Sequence, residues 1–389
     1  MIDYSRLLNP CVQQIKPSGI RKFFDIAATM DDVISLGVGE PDFQTPWMIR
    51  KAGILSLERG KTKYTSNRGT EELRRAVSDY VCRKTGVEYS PEDEILVSVG
   101  GSEAIDVAVR AIVSPGDEVI IPQPSYVCYE PVTMFAGGKP VIIETLAEND
   151  FKITANELLS AITPKTKALI LPYPSNPTGA VMEKEDLRKI AEVLCKTDIF
   201  VISDEIYSEL TFTEKGHTSI SELPGMRERT VVVSGFSKTF SMTGWRLGYA
   251  CGPAEIISQM TKIHQFAIMC APTTSQYAAI EALKNGDEAV AAMKEEYNRR
   301  RRLMVAGFNR IGLACREPLG AFYAFPSIRS TGLSSDEFCE KLLKEKHVAV
   351  VPGTAFGPSG EGFIRASYCY SAEHISEALR RIGDFLASL

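Results

Sequence analysis

Ile199-Phe-Val-Ile-Ser-Asp204-Glu-Ile-Tyr207 is a short apolar run that ends in two acids and a tyrosine. An apolar run of this length, bounded by polar residues, is typical of a buried strand. Similar runs occur at residues 94–99, 118–121, 167–171 and 230–233. Between about residues 46 and 290 these runs alternate with helical patterns, which favours an α/β domain with a largely parallel sheet.

Helix signals divide the rest of the chain. Thr45-Pro46 opens a helix that stops at Gly60, and Thr70-Glu71-Glu72 opens another that ends near Gly86. After residue 286, a long charged helix, two strands and two further helices predict a smaller α+β domain. The predicted domains are an N-terminal arm and part of the small domain (1–45), a large domain (46–285) and a small C-terminal domain (286–389).

Composition and charge exclude several classes of protein. Hydrophobic residues make up 44% of the chain and the net charge is only −5, so the basic footprint of a nucleic-acid-binding protein is missing. No apolar run is long enough to cross a bilayer. The nine cysteines are scattered without disulfide or zinc spacing, and the four histidines do not cluster, so we expect a cytoplasmic protein without a metal site.

The densest basic run is Arg299–Arg302, which follows Glu295 and Glu296. Acids and arginines at i,i+4 spacing are typical of a solvent-exposed helix face. The run is therefore interpreted as a solvated surface.

Polar residues follow three of the predicted strands. Asn176 comes after the strand at 167–171, Asp204 directly after the strand that ends at Ser203, and Lys238 after the strand at 230–233. Parallel strands bring their carboxyl ends to one edge of the sheet, where ligands of open α/β sheets bind. A lone lysine is ordinarily on the surface, but a desolvated lysine beside other cations is a nucleophilic amine.

A glycine pair precedes one of the predicted helices. Gly100-Gly101-Ser102 joins a strand to a helix, a setting in which backbone N–H groups bind phosphate, although many such turns use glycine only for packing. Gly37-Val-Gly39 lacks the third glycine of a dinucleotide fingerprint, and the chain has no P-loop motif. Nucleotide binding is therefore disfavoured.

The run Ser237-Lys238-Thr-Phe-Ser-Met-Thr-Gly-Trp-Arg246-Leu-Gly248 resembles the cofactor-lysine signature of class I aminotransferases of fold type I, which depend on pyridoxal phosphate. Further matching motifs occur in the family's order: Gly39–Phe43, Lys63-Tyr64, Gly100–Ser102, Pro124–Tyr126, Ser175–Gly179, Asp204–Tyr207 and Phe363–Arg365. The resemblance covers nearly the whole chain. It implies a large domain with a mostly parallel seven-stranded sheet and a smaller α+β domain.

The resemblance also implies catalytic roles. Lys238 would form a Schiff base with the cofactor and, once released, carry the proton between substrate and cofactor. Asp204 would pair with the pyridine nitrogen and keep it protonated. Asn176 and Tyr207 would contact the phenolate oxygen, and Tyr126 would stack on the ring.

Phosphate contacts are implied for four residues of this chain: Gly101, Ser102, Arg246 and Ser237. One position departs from the pattern, because relatives often carry a serine three residues before the lysine, where this chain has Gly235.

Substrate and partner contacts are implied for other residues. Arg365 would bind the substrate α-carboxylate, in a pocket also lined by Gly39, Tyr126 and Asn176. Tyr64 would reach the phosphate of a neighbouring subunit, which implies a homodimer with shared active sites.

The substrate side chain is expected to be aromatic or broadly apolar, with 2-oxoglutarate as acceptor in a ping-pong reaction. One aspartate-specific subgroup has a lysine where this chain has Ser102, and another has an arginine in the region of residues 263–277, where His264 is the only basic residue here. Aspartate or another amino acid stays an alternative donor. A carbon–sulfur β-lyase is the alternative reaction, and a non-catalytic cofactor-binding regulator is disfavoured because no basic helix-turn-helix segment is present.

Overall fold

A computed structural model describes residues 2, 4–17, 19 and 30–389 of the chain. Part of the predicted N-terminal arm, including residues 20–29, lies outside the described residues. The strands are β1 (Ile34–Ser35), β2 (Ile95–Ser98), β3 (Glu118–Gln123), β4 (Lys139–Glu144), β5 (Thr166–Leu171), β6 (Phe200–Asp204), β7 (Thr230–Gly235), β8 (Gly248–Cys251), β9 (Tyr323–Ala324), β10 (Val348–Ala349), β11 (Val351–Pro352) and β12 (Ile364–Ser367).

The α-helices of the described residues flank these strands. They are α1 (Pro10–Gln14), α2 (Trp47–Glu58), α3 (Glu71–Thr85), α4 (Gly101–Ile112), α5 (Tyr129–Phe135), α6 (Ala155–Ala161), α7 (Lys184–Leu194), α8 (Ala254–Ala267), α9 (Thr273–Asn285), α10 (Asp287–Arg310), α11 (Ser335–Lys346) and α12 (Ala372–Leu386).

A seven-stranded sheet forms the centre of the larger part of the molecule, in the order β2-β8-β7-β6-β5-β3-β4. Strand β8 runs antiparallel to both of its neighbours, and the other neighbouring strands are parallel. Strands β2, β3, β6 and β7 are buried along nearly their whole length because helices cover both faces. The predicted mostly parallel α/β sheet is confirmed.

All five strands predicted from apolar runs are present, with ends shifted by one or two residues. The other two strands of the sheet give weaker signals in the sequence. Strand β4 is a half-exposed edge strand that contains Pro140, and β8 is a four-residue strand that begins with Gly248. Proline and glycine are both uncommon inside strands, which explains why the sequence does not predict them.

A three-stranded antiparallel sheet, β11-β12-β9, and the parallel pair β1-β10 form the smaller part with α10, α11 and α12. The N-terminal segment is integrated here, because the Leu36 N–H donates to the Ala349 carbonyl and the Leu36 carbonyl accepts from the Ser367 N–H. The domain boundaries near residues 45 and 285 stay a prediction.

The predicted solvated face at Arg299–Arg302 is wrong for its two central arginines. Arg300 and Arg301 are buried, and they donate to the carboxylates of Asp42 and Glu317, both at 2.7 Å. The outer two arginines are exposed. The buried side chains of helix α10 form a single stripe at i, i+3, i+4 and i+7 spacing. Arg300 and Arg301 lie within this stripe, so their charges are paired rather than solvated.

Candidate active site

Three neighbouring parallel strands, β5, β6 and β7, end at the same edge of the large sheet. A cavity of about 280 Å³ opens at this edge. Its lining includes all but one of the residues predicted from the sequence: Gly39, Gly101, Ser102, Tyr126, Asn176, Asp204, Tyr207, Ser237, Lys238, Arg246 and Arg365. The exception is Tyr64, whose side chain is 82% exposed and does not line this cavity.

Asp204 is the last residue of β6, and its carboxylate is buried. The Tyr129 hydroxyl donates to Oδ2 at 2.7 Å, and the Ile206 N–H donates to Oδ1 at 3.2 Å. Burial raises the pKa of Asp204 to about 6, against the opposing effect of these two donors. A cationic partner stabilises the charged form of a buried carboxylate, and the cavity has room for such a partner.

Lys238 follows β7 and directs its amine into the cavity, where Nζ donates to the Gly39 carbonyl at 2.7 Å. Burial lowers the pKa of Lys238 to about 8, and the nearby Arg365 and Arg246 charges act in the same direction. The neutral amine, which is the nucleophilic form, is therefore accessible close to neutral pH.

The N-terminus of α4 forms one end of the cavity. Gly100 has φ +82°, and a Cβ at this position would lie 2.8 Å from Nη2 of Arg246. Backbone N–H groups at a helix N-terminus, beside an arginine, form an anion-binding site. The serine missing at Gly235 has a steric reason, because a Cβ there would lie 2.9 Å from the Cα of Gly248 on β8.

Arg365 lies on β12 at the opposite end of the cavity and is almost fully buried. Its Nη1 donates to Asn176 Oδ1 at 2.9 Å and its Nη2 to the Gly37 carbonyl at 2.6 Å, whereas Nε has no partner. The guanidinium carbon lies over the rings of Tyr323 and Phe356, at 4.3 and 4.7 Å from their centroids. Its position suits the binding of a second anionic group.

Two tyrosines that sequence reasoning did not identify complete the site. Tyr129 contacts Asp204, as described, and the Tyr323 hydroxyl lies 3.0 Å from that of Tyr207. Tyr129 lies three residues after Tyr126, so it belongs to the same segment as the residue predicted to stack on the ring. No signal in the sequence around Tyr323 marks it, apart from its aromatic neighbours.

The family model for aminotransferases of class I and II matches residues 31–382. The chain belongs to this family. The YugH protein of Bacillus subtilis, which is named as an aminotransferase, is 58% identical over 97% of this chain and 98% of its own length. An aspartate aminotransferase of Pyrococcus abyssi is 47% identical over 96% of both chains. The crystal structure of an aromatic aminotransferase from Pyrococcus horikoshii has a TM-score of 0.90 and 44% identity, covering 95% of this chain and 99% of that one.

This aminotransferase uses pyridoxal 5'-phosphate, as its family does. The charges of the cavity fit that cofactor. Among the described lining residues, three side chains are basic, Lys238, Arg246 and Arg365, and one is acidic, Asp204. A phosphate suits the helix end beside Arg246, and a protonated ring nitrogen suits the buried carboxylate.

Among the described residues, no group of three or more His, Cys, Asp or Glu side chains is arranged to hold a metal ion. No helix in the described part of the chain is long and apolar enough to span a bilayer.

Proposed function

We propose that this aminotransferase transfers the amino group of an aromatic or broadly apolar L-amino acid to a 2-oxo acid such as 2-oxoglutarate, by a ping-pong mechanism. The observation that carries the proposal is the composition of the cavity. We assign Lys238 and Arg246 to the cofactor and Arg365 to the substrate α-carboxylate, so none of the three cations is left for the substrate side chain. Ser102 occupies the position where a subgroup of aspartate enzymes has a lysine. The described lining thus offers no further cation for a second substrate carboxylate.

We assign the chemistry to five side chains. Bound pyridoxal phosphate supplies an electron sink for the electron pair left when the substrate α-proton is removed. Lys238 is the covalent anchor of the cofactor, and its released Nζ removes and returns that proton. The Asp204 carboxylate holds the protonated ring nitrogen, and Arg365 binds the substrate α-carboxylate. Asn176 and Tyr207 orient the cofactor's phenolate oxygen.

The remaining predicted residues hold the cofactor or border the substrate. We assign the phosphate to the backbone of Gly101 and Ser102 and to the side chains of Ser237 and Arg246. Tyr126 stacks on the ring, and Gly39 borders the substrate.

We further propose a cytoplasmic homodimer in which Tyr64 completes the neighbouring site. The high exposure of this tyrosine supports a role outside its own subunit. The nine cysteines, all in the described part of the chain, are free, which suits a reducing compartment.

An absorbance titration of the holoenzyme with single amino acids tests the substrate. Phenylalanine, tyrosine and leucine should deplete the cofactor's visible band at lower concentration than aspartate does. Faster conversion of aspartate would overturn the substrate assignment and favour the activity that names the Pyrococcus abyssi relative. Pyruvate formation from cystathionine without an acceptor would instead favour a β-lyase.

Lys238→Ala tests the assigned chemistry. The variant should lose covalent attachment of the cofactor, and the half-reaction should slow by about 10²- to 10⁴-fold because a positioned base is removed. The control is Lys196→Ala, at an exposed lysine that precedes β6 and so lies beyond the end of the strand opposite Asp204. Normal turnover by Lys238→Ala would refute the assignment.

A further inference from the structure

Tyr323 contacts three parts of the active site at once. Its hydroxyl lies 3.0 Å from the Tyr207 hydroxyl, and its ring faces the Arg365 guanidinium at 4.3 Å. A Cβ added at Gly39 would overlap the Tyr323 hydroxyl, so the hydroxyl also packs against the residue whose carbonyl accepts from Lys238. The tyrosine is almost fully buried at the start of β9.

We propose that Tyr323 is a positioning residue with two separable roles: its hydroxyl directs the Tyr207 proton toward the cofactor, and its ring holds Arg365 for the substrate carboxylate. The inference rests on the proposed roles of Tyr207 and Arg365.

The first role follows from counting donors. Each phenol has one proton, so Tyr207 can donate to the cofactor's phenolate oxygen only if it does not donate to Tyr323. The hydrogen bond between the two hydroxyls then has Tyr323 as donor and Tyr207 as acceptor. Burial raises the pKa of Tyr323 to about 12, so this donor keeps its proton throughout the working pH range. A phenol that accepts a hydrogen bond is also a stronger donor in turn.

The second role follows from the position of Arg365. Two of its nitrogens donate to Asn176 and Gly37, but its Nε has no partner. The guanidinium carbon lies over the Tyr323 ring at 4.3 Å from its centroid and over the Phe356 ring at 4.7 Å. Aromatic rings attract a buried cation and fix the plane of the fork, which a bidentate carboxylate must match.

Two variants separate the roles. Tyr323→Phe keeps the ring and removes only the hydroxyl. Tyr207 then donates more weakly to the cofactor's phenolate oxygen, so the pKa read from the pH dependence of the cofactor's visible absorbance should rise by about half a unit. Affinity for a simple carboxylate, 3-phenylpropanoate, should change by less than about twofold. Tyr323→Leu should show the same pKa rise and, in addition, about a tenfold weaker affinity for 3-phenylpropanoate, because Arg365 loses its cation–π contact with the Tyr323 ring.

Tyr368→Phe is the matched control. Tyr368 is equally buried in the same domain, and its hydroxyl donates to the Ala321 carbonyl at 3.1 Å, away from the cavity. Its removal should leave both the absorbance pKa and the carboxylate affinity unchanged. Circular dichroism verifies that each variant is folded.

An absorbance pKa in Tyr323→Phe equal to that of the wild type would overturn the role of the hydroxyl. Equal carboxylate affinity in a folded Tyr323→Leu would overturn the role of the ring. Either result is distinct from failure of the proposed function, in which Lys238→Ala would keep the visible band and its turnover.

Discussion

At the scale of single residues, the chemistry depends on what surrounds each side chain. Lys238 is an ordinary lysine by sequence, yet burial, with Arg365 and Arg246 nearby, lowers its pKa to about 8. A buried ammonium loses hydration and gains little from its neutral partner, the Gly39 carbonyl. Burial also favours the neutral form of Asp204, and because this group is an acid its pKa is raised, to about 6. The amine and the carboxylate thus both titrate much closer to neutrality than they do in water.

The lowered pKa of Lys238 predicts how cofactor attachment depends on pH. The neutral amine is the attacking form, so the attachment rate should rise with pH and reach half of its maximum near pH 8. The measurement is the growth of the visible band after pyridoxal phosphate is added to cofactor-free protein. N-acetyl-lysine methylamide in solution is the control, with a midpoint above pH 10. Coincident profiles would show that the cavity does not perturb the amine.

At the scale of secondary-structure elements, α10 joins the two parts of the molecule through charged side chains. Arg301, 4% exposed, donates to Glu317, to the Pro318 carbonyl and to Asn298, and its guanidinium lies over the Phe212 ring. A long helix rich in arginine therefore contributes buried hydrogen bonds as well as a solvated face.

Arg301→Ala should lower the free energy of unfolding by about 1–3 kcal/mol, because it leaves the buried Pro318 carbonyl unpaired and removes packing on Phe212. Arg302→Ala, one residue along the same helix but exposed, should change it by less than about 0.5 kcal/mol. Chemical denaturation of the two variants, at equal cofactor and protein concentration, makes the comparison. Equal destabilisation would mean that the burial of Arg301 contributes little.

At the scale of the whole molecule, Tyr64 and several large apolar side chains are exposed. Thr273 Oγ1 donates to the Lys63 carbonyl and Asn67 donates to the Met269 carbonyl, so the segment carrying Tyr64 is bonded to the turn after α8. Large apolar side chains on these segments and on α2 are exposed: Trp47, Ile54, Leu57, Phe266, Ile268 and Met269. An apolar surface of this kind is typical of an interface between subunits.

A hybrid dimer tests the proposed sharing of sites. One subunit carries Tyr64→Ala and the other Lys238→Ala, so one of the two sites has both an intact lysine and an intact tyrosine from its neighbour. The purified hybrid should show about half of the wild-type activity, more than either parent homodimer. If Tyr64 served its own subunit, the hybrid would contain no intact site and its activity would equal the mean of the parents.

Local sequence signals identified much of this molecule. Apolar runs predicted five strands of the seven-stranded sheet, and capping residues predicted helix starts, as when Thr70 Oγ1 accepts from the Leu73 N–H. The resemblance of successive motifs also indicated eleven residues that line one cavity. These features can be predicted from sequence because each depends on residues that are close together in the chain.

Only the tertiary structure decided which other side chains meet at that cavity. Tyr129 and Asp204 are 75 residues apart, and Tyr207 and Tyr323 are 116 apart, so nothing local marks either pair. The burial of Arg301 has the same origin, since it depends on what packs against α10. The sequence by itself determined five of the seven strands of the large sheet and the family resemblance, from which the role of Lys238 is proposed. The hydrogen-bond partners, the shifted pKa values and the ring contacts of Arg365 depend on long-range packing. That packing sets solvent exposure and distance, and hence the energy of each charge.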